Sequence, residues 1–278
     1  MKQKHPAFWL ALPTISVLLV LFVAPMLYVL ANTLATDGLR HFIKFFTDSF
    51  YLDILKTTLA VSFKVTVICL LLGYPTAYFM ARTKSRMKNT LMIIILFPFL
   101  VSAVVRSYGW MVILGNKGLL NQFLLALGII DDPLKILYTA NAVIIGLVHL
   151  LLPYMILSIT GVIQGIDKNI EYAAYSLGAN PLGTFWKVIL PLSSPGIISG
   201  SILVFTLSMT AYVTPKLLGG ARFRMMSTMV FQEVNVNFNW GLASAISYIL
   251  MFVILAVLLL FNYSTSGITK RVGGGKNV

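Results

Sequence analysis

Apolar residues in this chain fall into long blocks separated by short polar stretches, not into the alternation of half-buried strands. Six blocks, at about 8–34, 57–81, 91–114, 141–162, 196–218 and 242–261, are each twenty residues or longer. A helix rises 1.5 Å per residue, so about twenty residues cross the roughly 30 Å hydrocarbon layer of a bilayer. The pattern predicts an all-α membrane protein, a single polytopic domain over 1–278 with six transmembrane helices. The first block is too long for the apolar core of a cleaved signal peptide and is followed by no clear cleavage site, so it reads as an uncleaved first span.

The polar stretches differ in character. Residues 35–56 mix Asp37, Arg40, Lys44, Asp48 and Asp53 with Phe42, Phe45 and Phe46, which predicts a short amphipathic helix at the outer surface. Gly73-Tyr74-Pro75 marks a kink in span two, and Pro98 lies inside span three. Between spans three and four, Asp131-Asp132-Pro133 signals a turn in the outer segment 115–139. Residues 221–241 read as a polar outer loop rich in Asn, and the chain ends in a basic, glycine-containing tail expected to fray.

The loop 164–194, between spans four and five, is the most structured of these stretches. Ile170, Ala173, Ala174 and Leu177 share one side of a helix. Gly178 is placed to close it, because glycine tolerates the left-handed conformation of a helix end. Asn180 followed by Pro181 has the form of an N-cap and first helical residue, so a second helix is expected through Phe185, Trp186 and Lys187. Pro191 and Pro195 are expected to end it. The result is a helix–break–helix knob between two spans.

Composition agrees with the pattern: 58% of residues are hydrophobic and 10% are charged. The net charge of +13 would point to nucleic acid in a soluble protein, but here the bases cluster at span ends, as the bilayer requires. Eleven Lys and Arg fall on the side of the termini and the 164–194 loop, against eight on the other. The cluster Arg82, Lys84, Arg86 and Lys88, with no acid among them, decides the orientation: both termini and the knob are expected in the cytoplasm. The single Cys69, inside an apolar run, excludes a disulfide framework.

Tyr172-Ala173-Ala174, then Gly178, then Val188-Ile189-Leu190-Pro191 resembles the signature loop of binding-protein-dependent (type I) ABC importer permeases. That family's pattern is Glu-Ala-Ala, three residues, Gly, nine residues, Ile-x-Leu-Pro. Tyr172 stands at the Glu position, with Glu171 one place earlier, and Val188 replaces Ile. A family role for that carboxylate therefore does not carry over by position. Leu72-Gly73-Tyr74-Pro75, Arg106-Ser107-Tyr108-Gly109, Gly118-Leu119-Leu120-Asn121 and Thr214-Pro215-Lys216-Leu217-Leu218-Gly219-Gly220 extend the likeness over nearly the whole chain. They are most similar to the spermidine/putrescine subgroup, on the side of the first of its two permeases. Similar sequences in the family carry iron, phosphonate or opine-type solutes.

The resemblance implies a permease of the bacterial inner membrane that forms half of a solute pathway. Its implied partners are a second permease chain, two cytoplasmic ATPase subunits, a periplasmic solute-binding protein and the lipid bilayer. It implies no nucleic acid and no cofactor. Glu171, Tyr172, Ala173, Ala174, Gly178, Leu190 and Pro191 are then the ATPase-coupling residues, the small side chains letting a partner's groove close over the backbone. ATP hydrolysis is expected in the partner, so the chain itself is not an enzyme.

Ionisable and aromatic residues within spans are the other candidates. An intramembrane charge is costly and marks function by default. Arg106 has two readings, a pathway or gate residue and a structural anchor, and Arg lining a polyamine pathway would be an odd choice. Lys64 reads as snorkelling toward the interface, and His149 as a packing residue. Tyr108, Trp110 and Tyr212 are pathway candidates, against packing or an interfacial belt. Catalytic readings find no support. There is no G-x-x-x-x-G-K-[ST] phosphate loop, Gly275-Lys276 being followed by Asn277. Three scattered His make no zinc motif, and no acid lies in any expected span. The missing acids also weaken the main alternative, a proton-coupled secondary carrier. A membrane scaffold protein is a third class, which predicts no ATPase partner.

Overall fold

The structure is a computed structural model, described here for residues 6–83 and 87–272. Lys2, Lys4, Lys84, Arg86 and Lys276, all used in the charge count, lie outside those residues. Every regular element among the described residues is helical. Four helices are long and apolar enough to cross a membrane, or six when each of two bent pairs is taken as one span.

Two compact units divide the chain. The first draws on Met1–Leu52 and Met229–Leu250. It opens with α1 (Pro6–Leu18), a π-helical turn at Leu19–Val23 and α2 (Ala24–Asp37). Pro25 has no N–H to donate and its ring crowds the carbonyl four residues back; the wider turn just before it relieves both. Gly38, at φ +59°, ends α2. The expected surface helix is α3 (Arg40–Thr47), whose Phe45 is fully buried and stacks on Tyr51 at 5.7 Å. Tyr248 donates to the Met26 carbonyl, and the buried Glu233 accepts from Asn237 at 3.0 Å.

The second unit, Asp53–Thr228 with Met251–Val278, holds the main core. At its centre is α8 (Ala140–Gln164), which buries Val143, Leu147, Leu151, Met155, Ile159 and Ile163. Spaced four apart, these form a stripe that winds around the helix, and α12 (Ser194–Thr210) and α4 (Ser49–Arg82) close over it. A Cβ on Gly200 of α12 would lie 2.8 Å from the Met155 sulfur and 3.2 Å from the Ser158 Cβ. Such close backbone approach through small residues is the usual means of helix association in bilayers, where apolar burial alone gives little drive. Helix α4 runs unbroken past Gly73-Tyr74-Pro75.

Three segments differ from the sequence expectation. The stretch read as one continuous third span, 91–114, is two helices, α5 (Met87–Leu100) and α6 (Ala103–Leu114), and the helical stretch Ala103–Ala126 that α6 begins is bent by 102° from α5. Ser102 is extended, so the Pro98 carbonyl loses the partner it would have in a helix, and Arg106 supplies a guanidinium N–H to it instead. Span five is likewise interrupted: α12 stops at Thr210 and α13 (Val213–Gly219) follows after Ala211 and Tyr212. The Ser227 hydroxyl donates to the Ala211 carbonyl, which has no helical partner because the residue four places on, Pro215, carries no N–H.

In the expected Asn-rich loop 221–241, Met226–Asn235 forms a helix, α14, seated by the buried Met225 and Met226. Thr228 Oγ1 accepts from the Met225 N–H, and Thr58 Oγ1 of α4 from the Met226 N–H, both at 2.9 Å. The last helix, α15 (Trp240–Val272), continues eleven residues past the expected end of span six, at 261, into the basic tail. Between α6 and α8 lies α7 (Leu119–Ala126). Its buried Asn121 donates to the carbonyls of Gly115 and Leu134 and accepts from the Leu134 N–H, closing the segment 115–139 on itself.

Candidate functional site

The knob between α8 and α12 has the expected helix–break–helix form. Its first helix, α9 (Lys168–Ser176), starts at Asp167, whose carboxylate accepts from the Asn169 N–H at 2.9 Å. It closes at Gly178, φ +85°, where the Gly178 N–H bonds Tyr175 O and the Ala179 N–H bonds Ala174 O. Only glycine takes that backbone conformation freely. Asn180 caps the second helix, α10 (Pro181–Thr184), by accepting from the Gly183 N–H. A π-helical turn at Phe185–Ile189 and the single turn α11 (Leu190–Leu192) lead into α12. As expected, this helix ends between Pro191 and Pro195: it stops at Leu192, and α12 (Ser194–Thr210) sets off at 62° to it. Proline cannot donate to the carbonyl of Lys187, and the wider π turn absorbs the misfit. Pro195 sits in the first turn of α12, where a missing N–H costs nothing.

The faces of α9 are the reverse of what an amphipathic loop helix would show. Tyr172 is 61% exposed and Leu177 88% exposed, and Ile170 and Ala173 are open too. Ala174 and Leu190 are half-buried; Gly178 and Pro191 are exposed. The residue turned inward is the charged one, Glu171, 8% exposed. Its Oε1 lies 2.5 Å from Arg82 Nη2 at the end of α4, and the Tyr78 hydroxyl donates to its Oε2 at 3.5 Å. Arg82 also donates through Nη1 to the Ile166 carbonyl at 3.1 Å, and Lys168 Nζ donates to the Arg82 carbonyl at 3.3 Å.

Two further contacts join α4 to the second half of the knob. Tyr74 Oη and Ser193 Oγ are 2.7 Å apart in a buried hydrogen bond. The Phe185 ring stands edge-on to Tyr74 at 5.5 Å and to Tyr78 at 6.1 Å. Trp186, its neighbour, is 58% exposed. Sequence reading alone does not single out Arg82 as a site residue, nor Tyr74, Tyr78 or Ser193. The available signal is the i, i+4, i+8 spacing of three polar side chains in an otherwise apolar span.

The pathway candidates are less closely grouped. Arg106 and Trp110 line one cavity of about 420 Å³ together with Phe97, Pro98 and His149. His149 is the partner of Trp110: the indole Nε1 donates to its Nδ1 at 3.0 Å. Tyr108, exposed on α6, and Tyr212, half-buried at the break between α12 and α13, do not line it. Among the described residues no three of His, Cys, Asp and Glu are grouped to hold a metal ion. The site contains an exposed apolar surface and a buried ionic tether, an arrangement suited to transmitting force.

Residues 73–272 match the family of binding-protein-dependent transport system inner membrane components. The chain is 38% identical over 256 residues to the spermidine/putrescine transport system permease protein PotB of Haemophilus influenzae, covering 89% of each chain. To PotB of Escherichia coli K12 it is 36% identical over 265 residues, covering 91% of this chain and 96% of that one. In structure it is similar to a chain of a bacterial alginate ABC transporter, with TM-score 0.79, 18% identity and 95% of both chains covered. A chain of the MetNI methionine ABC transporter aligns with TM-score 0.53 at 15% identity, over 78% of this chain and 93% of that one.

Proposed function

The chain belongs to the family of binding-protein-dependent transport system inner membrane components, and from that premise we propose that it is a permease subunit of an ATP-driven polyamine importer. It pairs with a second permease to form the solute pathway, two ATPase subunits grip the two knobs, and a solute-binding protein delivers spermidine or putrescine on the opposite face. Both termini and the knob then lie in the cytoplasm. The observation that carries this reading is the outward apolar face of α9, with Tyr172 and Leu177 exposed while Glu171 is tied inward. A free helix in water would turn these faces the other way, so the surface is built to be covered. Ala173, Ala174 and Gly178 let the groove approach the backbone, and Leu190 and Pro191 join the knob to α12. The PotB relatives support the solute class.

Of the intramembrane candidates, Arg106 serves as the anchor of the bent third span, the reading supported by its bond to Pro98 O. Tyr108, Trp110 and Tyr212 are the aromatic candidates for the pathway. Replacing Arg106 by Met leaves the Pro98 carbonyl without a donor, at a cost of about 1–3 kcal/mol. The expected result is a lower Tm of the purified protein with unchanged preference among solutes; altered selectivity at unchanged Tm would make Arg106 a gate instead.

Uptake of radiolabelled spermidine and putrescine into proteoliposomes holding the whole complex tests the function. Uptake requiring internal ATP and the binding protein is expected. Uptake driven by a proton gradient without ATP would show a secondary carrier, and ATP-driven uptake of another solute alone would overturn the polyamine assignment.

A further inference from the structure

The knob is covalently joined to the two helices that flank it, α8 and α12, which makes them the obvious receivers of any pull on it. The geometry points elsewhere, and we propose that α4 receives the movement, through the face made by Tyr74, Tyr78 and Arg82, with the buried Arg82–Glu171 pair as the positioning latch. The proposal rests on the importer reading above and concerns how that importer is coupled.

The three residues lie four apart, so they form one stripe about 12 Å long on the last turns of α4. Each meets a different part of the knob. Arg82 and Tyr78 hold α9 through Glu171, Tyr78 and Tyr74 meet the π turn through Phe185, and Tyr74 holds the start of α12 through Ser193. The covalent connections are softer. Gly165 and Ile166 alone separate α8 from the Asp167 cap of α9, and the two helices of the knob meet at a left-handed glycine. Arg82 bridges the first of these joints as well, through the Ile166 carbonyl.

An ion pair at these depths, with side chains 13% and 11% exposed, is little screened by water, so it holds α9 close to the end of α4. Its partners on both sides are additionally bonded, Glu171 to Tyr78 and the Arg82 carbonyl to Lys168. A groove that carries α9 therefore carries the end of α4 with it. Trp186 faces outward; its neighbour Phe185 makes the inward contacts.

The test uses the complete complex in proteoliposomes and reads solute taken up per ATP hydrolysed, alongside the amount of ATPase that co-purifies. Arg82→Gln and Glu171→Gln are each expected to lower that ratio about tenfold, within the usual span of coupling between two sites. The double charge swap, Arg82→Glu with Glu171→Arg, is expected to recover most of it, which a double-mutant cycle scores as coupling between the two. Equal ratios in assembled single variants would overturn the latch. So would loss of co-purifying ATPase in Glu171→Gln, which would make Glu171 a docking residue.

Cysteines at both positions, joined by a short bis-maleimide, separate latch from fold in one preparation. Joining is expected to raise the ratio above that of the unjoined protein, whereas joining that abolishes uptake would show α9 sliding along α4 and overturn the proposal. Absence of ATP-dependent uptake in the unsubstituted complex would be a failure of the importer reading, visible before any variant is made.

Discussion

Two aspartates on the outward face of α9, Ala173→Asp with Leu177→Asp, are expected to abolish ATP-driven uptake while leaving the permease folded. Both side chains are open to solvent, so neither change disturbs a core contact, and substitutions at such positions usually alter stability by no more than about 0.5 kcal/mol. On the importer reading the same face is covered in the assembled complex, so two carboxylates there must be desolvated without partners. A single central interface residue commonly contributes 2 kcal/mol or more, so affinity for the ATPase is expected to fall at least about thirtyfold. Pull-down of the ATPase by the purified permease measures this, with the Tm of the permease alone as the control for folding. Undiminished pull-down would remove α9 from the coupling surface.

The second large effect is structural. Gly200→Leu is expected to prevent stable packing of α12 on α8, since the space its side chain needs is held by Met155 and the Ser158 Cβ. Met155 is fully buried and can move only by displacing its neighbours. Overpacking of this kind costs about 1–3 kcal/mol, and more where two backbones meet. A clear drop in Tm in detergent is the expected readout, with Gly200→Ala intermediate. Gly109→Ala is the matched control: a Cβ there meets nothing within 4 Å, and its Tm is expected to stay unchanged. An unaltered Tm in Gly200→Leu would mean that α12 and α8 are less closely packed than the structure shows.

Reading the chain without coordinates succeeds where the physics is local. The break in the knob is an example: Gly178 and the Asn180-Pro181 cap act within a few residues of themselves, and the backbone obeys them. The interruptions of the third and fifth spans are not local in the same way. Pro98 could have bent its helix slightly or broken it, and the outcome depends on whether a donor such as Arg106 reaches the freed carbonyl. Helix α14 was hidden by its Asn-rich surroundings, and its start is held by Thr58, distant in sequence.

The candidate site divides along the same line. Its position and its small residues are legible as a spaced motif. Which face of α9 looks outward is not, because Ile170, Ala173 and Leu177 form an apolar stripe that by pattern alone belongs inside. Glu171 overrides that pattern by finding a guanidinium and a phenol on α4.

By itself, then, the amino-acid order determined the helical class, the apolar blocks able to cross a bilayer and the place and break of the knob. These depend on run length, caps and proline, whose effects reach only about one helical turn. The tertiary structure decided the orientation of α9, the breaks at 101–102 and 211–212, and the joining of α4 to the knob. Tyr78 and Glu171 are 93 positions apart, and no periodicity in either segment records that they meet. Only the packing of α8 against its neighbours brings the ends of those helices together, and with them the charges that set the direction of force.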